Sequence, residues 1–263
     1  MIKLVAVDMD GTFLDDQKHY DEDRFAKVFD EMQKQEAEFV VASGNQYVQL
    51  VQFFEPIKEK ITFISDNGAM VTKHGEEIFS SSFEKADVEK VLEVLSLKTD
   101  FRVIVCGKKG AYILDSVPDD FIKTIEFYCP VMFKVSDYNQ IDDDVLKIAL
   151  SCPEEETERL LEELHGEISH ITIPVSSGHG SIDLIQPNMH KGNAIQFVLK
   201  QFNFSSEEAA AFGDGGNDLE MLDLVGTSFA MGNAPEAVKK AAKHVAPTNN
   251  ESGVLVEMEK LFF

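Results

Sequence analysis

Apolar residues in the first eighty positions fall into short strands and helical stripes that alternate. Residues 4–7, Leu-Val-Ala-Val, form a run typical of a buried strand and stop at Asp8. Phe25, Val28, Phe29 and Met32 recur at helical spacing, with Asp21 or Asp23 placed to cap that helix. Residues 39–42 read as a strand, and Val48, Val51 and Phe54 mark a helix ended by Pro56. Residues 61–64 make a further strand, followed by the hairpin turn signal Asn67-Gly68. Strands alternating with helices predict a parallel sheet with helices on both faces.

From about Phe83 to Gln186 the pattern changes. Val88, Val91, Leu92 and Leu95 predict a helix, residues 103–105 and 111–114 paired strands, and residues 121–127 another helix. Strands follow at 131–135 and 146–150, then a helix over 154–165 and strands at 171–175 and 182–185. Locally paired strands with interspersed helices suggest an α+β layer on an antiparallel sheet. Beyond it, Ala194, Ile195, Val198 and Leu199 share a helical face starting near Lys191, and residues 209–212 form a strand running into Gly213. The expected fold class is therefore α/β. A Rossmann-like parallel-sheet core (1–82 and 188–263) is interrupted by an inserted α+β domain (83–187), with no tandem repeat or low-complexity tract.

Several strand ends carry chemistry. Asp8 and Asp10 leave the first strand one residue apart, followed by Gly11 and the hydroxyl of Thr12. Carboxyl ends of strands are where α/β proteins bind ligands, so these read as a nucleophile, an acid/base partner and a phosphate-binding group. An EF-hand loop is excluded, because its glycine belongs at the sixth loop position and Gly11 is the fourth. Asp214 and Asp218 lie four residues apart around Gly215 and Gly216. Clustered carboxylates stay ionised together only with a cation among them, and hard oxygen donors suit magnesium (Mg2+). Lys191 at a helix start opposes the macrodipole and so needs an anion or an acidic cluster opposite it. Ser43, Gly44 and Asn45 follow a strand in an anion-binding arrangement.

These four segments, in this order, resemble the haloacid dehalogenase-like superfamily of phosphohydrolases, and most closely its Cof-type branch with a large α/β cap. The first motif matches Asp8-Met9-Asp10-Gly11-Thr12, the second ends at Ser43, the third is Lys191, and the fourth is Gly213-Asp214 with Asn217-Asp218. Further family-like stretches are Asp66-Asn67-Gly68-Ala69, Met231-Gly232-Asn233-Ala234 and Ser252-Gly253-Val254. The resemblance implies a magnesium-dependent phosphatase of small phosphate monoesters, with residues 83–187 as a cap that sets specificity. It implies Asp8 as nucleophile and Asp10 as acid/base, with Mg2+ held by Asp8, Asp214 and the Asp10 backbone carbonyl while Asp218 orders the site. Thr12, Ser43, Gly44, Lys191 and Asn217 would handle the phosphate, Asn217 as a phosphate or Lys191 contact. One departure stands out: the Cof-type pattern usually has arginine where this chain has Asn45. Asn45, and His179 in the run Ser176-Ser177-Gly178-His179-Gly180, are the substrate-contact candidates, though that run also reads as an ordinary hairpin turn. A sugar, polyol, flavin or pyridoxal phosphate would suit the family. A sugar phosphomutase and a non-catalytic phosphate-ligand sensor on the same fold are the alternatives.

Charge narrows the partners. With 47 acidic against 24 basic residues, the net charge of -23 argues against nucleic acid and anionic membranes. Attraction for a phosphate ester must then be local, from a metal, Lys191 and backbone amides. Cys106, Cys129 and Cys152 lack metal-ligand spacing and read as buried reduced thiols. No segment has the length of a membrane span, and the first apolar run is too short for a signal peptide. The expectation is a cytoplasmic protein, monomeric or weakly dimeric, acting on a small-molecule phosphate ester.

Overall fold

In the computed structural model, which describes residues 1–178 and 180–263, the first apolar run forms β1 (Leu4–Val7), buried throughout. Helix α1 (Glu22–Lys34) follows, and Asp21 is its cap, accepting from the Arg24 amide. Next come β2 (Glu38–Ala42), α2 (Tyr47–Leu50), which tightens into a 3-10 turn, and β3 (Thr62–Ser65). Two further strands, β4 (Met70–Lys73) and β5 (Glu76–Ser80), fold back antiparallel onto β3 and onto each other. They depart from the all-parallel expectation. Polar residues such as Lys73, His74, Glu76 and Glu77 blur their alternation, as suits the exposed edge of a sheet.

The inserted segment contains α3 (Lys85–Ser96), β6 (Arg102–Gly107), β7 (Ala111–Leu114), α4 (Asp119–Ile125), β8 (Met132–Val135), β9 (Val145–Ser151), α5 (Thr157–Ile168), β10 (Ile173–Gly178) and β11 (Ser181–Ile185). These strands form a separate sheet in the order β10-β11-β9-β6-β7-β8. It is not wholly antiparallel: β7 and β8 pair in parallel, because α4 carries the chain back to the end at which β7 began. Ile148, Leu150, Ile182 and Leu184 pack with Val88, Val91, Leu160 and Leu164 of α3 and α5. The alternate residues, Lys147 and Asp183, fall on the opposite face.

The chain then returns to the first sheet through α6 (Lys191–Phe202), β12 (Ala209–Gly213), α7 (Leu219–Leu224), β13 (Thr227–Ala230), α8 (Glu236–Ala241), β14 (His244–Val245) and α9 (Gly253–Phe262). The order is β14-β13-β12-β1-β2-β3-β4-β5, parallel from β14 to β3. Val5, Val7, Phe39 and Val41 face α1 and α9, while Ala6, Ala42, Ala209, Ala211 and Ala230 face α6 and α7. Small residues on the second face let those helices lie close to the sheet. Val7 pairs with both Phe212 and Val41, so β1, β2 and β12 end at one level. Where the chain crosses between sheets the two linkers touch: Ser81 Oγ donates to Gln186 Oε1, and Gln186 Nε2 to the Ser81 carbonyl, both at 2.8 Å. Among the described residues, no helix is long and apolar enough to cross a membrane. All three cysteines are free thiols, Cys106 and Cys129 buried and Cys152 half-buried.

Candidate active site

The shared strand level brings the expected acids together. Asp8 extends β1 by one more ladder bond, its amide donating to the Phe212 carbonyl at 3.0 Å. The chain then turns sharply, with the Thr12 and Leu14 amides donating to Met9 O. Gly11 has φ +74°, and a Cβ there would collide with the Asp214 carboxylate. The glycine thus serves both the left-handed turn and the approach of Asp214. Thr12 Oγ1 donates to Asp214 Oδ1 at 2.8 Å. Asp8, Asp214 and Asp218 each offer a carboxylate oxygen within 4.8 Å of the others.

Lys191, the first residue of α6, is wholly buried between two of these acids. Its Nζ donates to Asp8 Oδ1 and Asp218 Oδ1, both at 2.6 Å. The other oxygen of Asp218 accepts the Asp214 and Gly215 amides at 2.9 and 2.8 Å, which closes the loop after β12. Burial pushes the Asp8 carboxyl well above its ordinary range; Lys191 opposes that, and the charges of Asp218 and Asp214 add to it. Burial alone would lower the Lys191 ammonium, but Asp218 and Asp8 outweigh it and raise it. One ammonium against three crowded carboxylates leaves net negative charge, so a small divalent cation fits the donor set.

Asp10 points to other partners. Its Oδ1 accepts Lys18 Nζ at 2.5 Å and its Oδ2 accepts Asn45 Nδ2 at 2.7 Å. The Ser43 hydroxyl accepts the Asn45 amide at 3.1 Å, and the Ser43 and Asn45 carbonyls accept the Asn67 and Asp66 amides. Gly44 lies against Asn67 and Asp183. Asn217 Nδ2 donates to Asn67 Oδ1 at 2.9 Å, while the ammonium of Lys191 bonds Asp8 and Asp218. His179 lies outside the described residues.

Several residues at this edge were not singled out as site residues from the sequence. Asn67 links the sheets: its Nδ2 donates to Asp183 Oδ2 at 2.6 Å, and Lys147 Nζ donates to the other Asp183 oxygen at 2.8 Å. Burial pushes the neighbouring Asp66 carboxyl up to about 7 in spite of the Lys147 charge. Charged residues at apolar-flanked strand positions, Leu146-Lys147-Ile148 and Ile182-Asp183-Leu184, were the available signal for the pair. Asn233 Nδ2 donates to the Gly11 carbonyl at 2.8 Å and lies within one of the family-like stretches. Lys18 carried no signal, being one polar residue in a polar loop. A cleft of about 490 Å³ lies elsewhere, between the start of α3 and residues 138–145, and none of these carboxylates lines it.

A model of the haloacid dehalogenase-like hydrolase family matches residues 5–258. The chain belongs to that family. Escherichia coli 5-amino-6-(5-phospho-D-ribitylamino)uracil phosphatase YbjI is 42% identical over 261 residues, 99% of this chain and 96% of that protein. Phosphatase YwpJ of Bacillus subtilis is 28% identical over 288 residues, 99% of this chain and all of that protein. The crystal structure of SMU.1108c from Streptococcus mutans superposes with a TM-score of 0.95 at 35% identity, covering 99% of both chains. The resemblance to the Cof-type branch and the α/β class with its second sheet both hold, and this is a haloacid dehalogenase-like phosphatase.

Proposed function

We propose that this phosphatase hydrolyses a small phosphate monoester through a phosphorylated Asp8, with Mg2+ as cofactor and a phosphorylated ribitylaminopyrimidine as its preferred substrate. The observation that supports the chemistry best is the meeting of Asp8, Asp214 and Asp218 around the buried Lys191 ammonium. The similarity to YbjI supports the substrate class.

An oxygen of Asp8 attacks phosphorus and the ester bond breaks, while Asp10 gives its proton to the departing oxygen. Water then attacks the phosphorus of the aspartyl-phosphate, Asp10 takes a proton from it, and Asp8 is released with inorganic phosphate. Lys191, Thr12, the Ser43 hydroxyl and the Gly44 amide stabilise charge on the transferred group, with Asn217 beside them. Asp8, Asp214 and the Asp10 carbonyl would hold Mg2+, with Asp218 ordering the loop. When bound, the metal neutralises phosphoryl charge that would otherwise repel Asp8. Residues 1–82 and 188–263 act as the catalytic core, and 83–187 as the cap that selects the leaving group.

The phosphomutase alternative requires cap cations for a second phosphate. Arg102 is exposed, and Arg159 is engaged at the surface by Glu156, Glu163 and Asp100. The inward-facing Lys147 is neutralised by Asp183. The test is phosphate release from 5-amino-6-(5-phospho-D-ribitylamino)uracil against sugar phosphates, flavin mononucleotide and pyridoxal phosphate. The pyrimidine should give the highest kcat/KM, and Asp8→Asn should lose at least about a thousandfold. Turnover that survives Asp8→Asn or excess chelator would refute the mechanism, and preference for another ester would refute the substrate.

A further inference from the structure

Asp10 is held from two sides by groups of different kind. Asn45 offers a neutral amide to Oδ2, and among the described residues the cation paired with the carboxyl is Lys18, at Oδ1. The loop that presents Lys18 is tightly built. The Asp15 amide donates to the His19 carbonyl at 2.8 Å, the Lys18 amide to the Asp15 carbonyl at 3.0 Å, and Asp15 Oδ1 accepts the Gln17 and His19 amides at 2.9 Å. Lys18 has φ +65°, a left-handed conformation that side chains with a Cβ rarely adopt. Such strain persists only where the surroundings hold it, and here it carries a long side chain back to the acid of the preceding turn. On its other side the ammonium lies 5.5 Å from the ring centroid of Tyr128, just beyond α4 in the second sheet. The Lys18 side chain is 29% exposed and that of Asp10 24%, so the contact is half-buried beside Tyr128.

We propose that Lys18 is a positioning residue for Asp10, an inference that rests on Asp10 being the acid of the first step. A carboxyl anchored through one oxygen can swing about its Cβ–Cγ bond, whereas one anchored through both keeps its plane. As the ester bond breaks, the proton of Asp10 passes to the leaving oxygen and the bonding electrons go with that oxygen, giving an alcohol. Asp10 is left as a carboxylate, which the Lys18 ammonium and the Asn45 amide hold until water returns a proton to it. Lys18 therefore matters most where the leaving group needs that proton. An alkoxide needs it, and p-nitrophenolate does not.

Two esters separate this role from a grip on phosphate or a part in folding. The quantity measured is kcat/KM, which covers steps only as far as leaving-group departure. Lys18→Met should lower kcat/KM for ribitol 5-phosphate about thirtyfold or more, and that for p-nitrophenyl phosphate less than about threefold. Lys18→Arg should recover most of the loss, and Lys18→Gln, which preserves polarity in the loop, should behave as Lys18→Met. Asp10→Asn should show the same ranking more strongly, and adding Lys18→Met to it should cost less than about threefold, because coupled residues are not additive. Equal losses on both esters, full activity, or additive losses with Asp10→Asn would each overturn the assignment of Lys18. Equal loss on both esters from Asp10→Asn alone would instead overturn Asp10 as the acid, and the role of Lys18 with it.

Discussion

Replacing Lys191 by methionine keeps most of the volume of the stem and removes only the ammonium, which makes it the sharpest test of how the acids are held. In the native protein that ammonium bonds Asp8 and Asp218 at 2.6 Å each, and all three residues are buried. Without it two carboxylates face each other within 4.8 Å. At an effective dielectric of 20 their repulsion is about 3.5 kcal/mol. That agrees with the roughly 3 to 5 kcal/mol lost when one partner of a buried pair is removed. For a chain of this size about 4 kcal/mol corresponds to a Tm roughly 8 to 16 °C lower. Protonation offers an escape. The Asp8 carboxyl is already raised, and losing Lys191 raises it further, so the folded state binds more protons than the unfolded one. Stability of the variant therefore falls as pH rises and recovers towards pH 5. Calorimetry in chelator at pH 8 and pH 5, repeated with Mg2+, reads all of this. The variant should melt far below wild type at pH 8, closer to it at pH 5, and gain more from Mg2+ than wild type does. A Tm within about 2 °C of wild type at pH 8 in chelator would refute the view that Lys191 neutralises a buried acidic pair.

Gly11→Ala places a Cβ against the Asp214 carboxylate at a left-handed position. Mg2+ affinity by titration calorimetry should fall at least about tenfold, as for other changes beside a metal ligand, and unchanged affinity would mean that Asp214 does not face the metal. Asp66, with its carboxyl raised to about 7 by burial, keeps a proton in the folded state that it loses near 4 when unfolded. The contribution of Asp66 to stability in urea unfolding should therefore drop by about 3 kcal/mol between pH 4 and pH 7, since the carboxyl is about half-titrated at each end of that window. Asp66→Asn should flatten that slope, and parallel slopes in the two proteins would remove Asp66 as its source.

Much of the candidate site's assembly was legible because its parts are local. A strand that ends in an acid, as at Asp8 and at Gly213-Asp214, announces where that acid will sit within a few residues, and Lys191 betrayed itself by opposing a helix dipole. Asn45 was visible as an oddity, but its partner Asp10 lies 35 residues away and nothing nearby named it. Asn67 joins Asp183 across 116 positions and Asn217 across 150, distances at which side-chain pairing follows from tertiary packing alone. The edge strand β5 was obscured for a different reason: it lies at the rim of the sheet with Glu76 and Glu77 exposed, so its polar residues satisfy no simple alternation, whereas the reversal from β3 into the buried β4 was signalled by Asn67-Gly68.

The clasp between Ser81 and Gln186 bears on how such a chain can change over generations. Its two bonds bring the point of departure from the first sheet into contact with the point of return. To the eight-stranded sheet, everything between those residues is a loop with its ends already joined. The entropy of closing a loop grows only with the logarithm of its length, so enlarging or shrinking this one alters the cost of closure very little. The second sheet behaves as an exchangeable module. It can gain strands, lose a helix or be repacked while the register of β1, β2 and β12, and the acids at their ends, stays as it is.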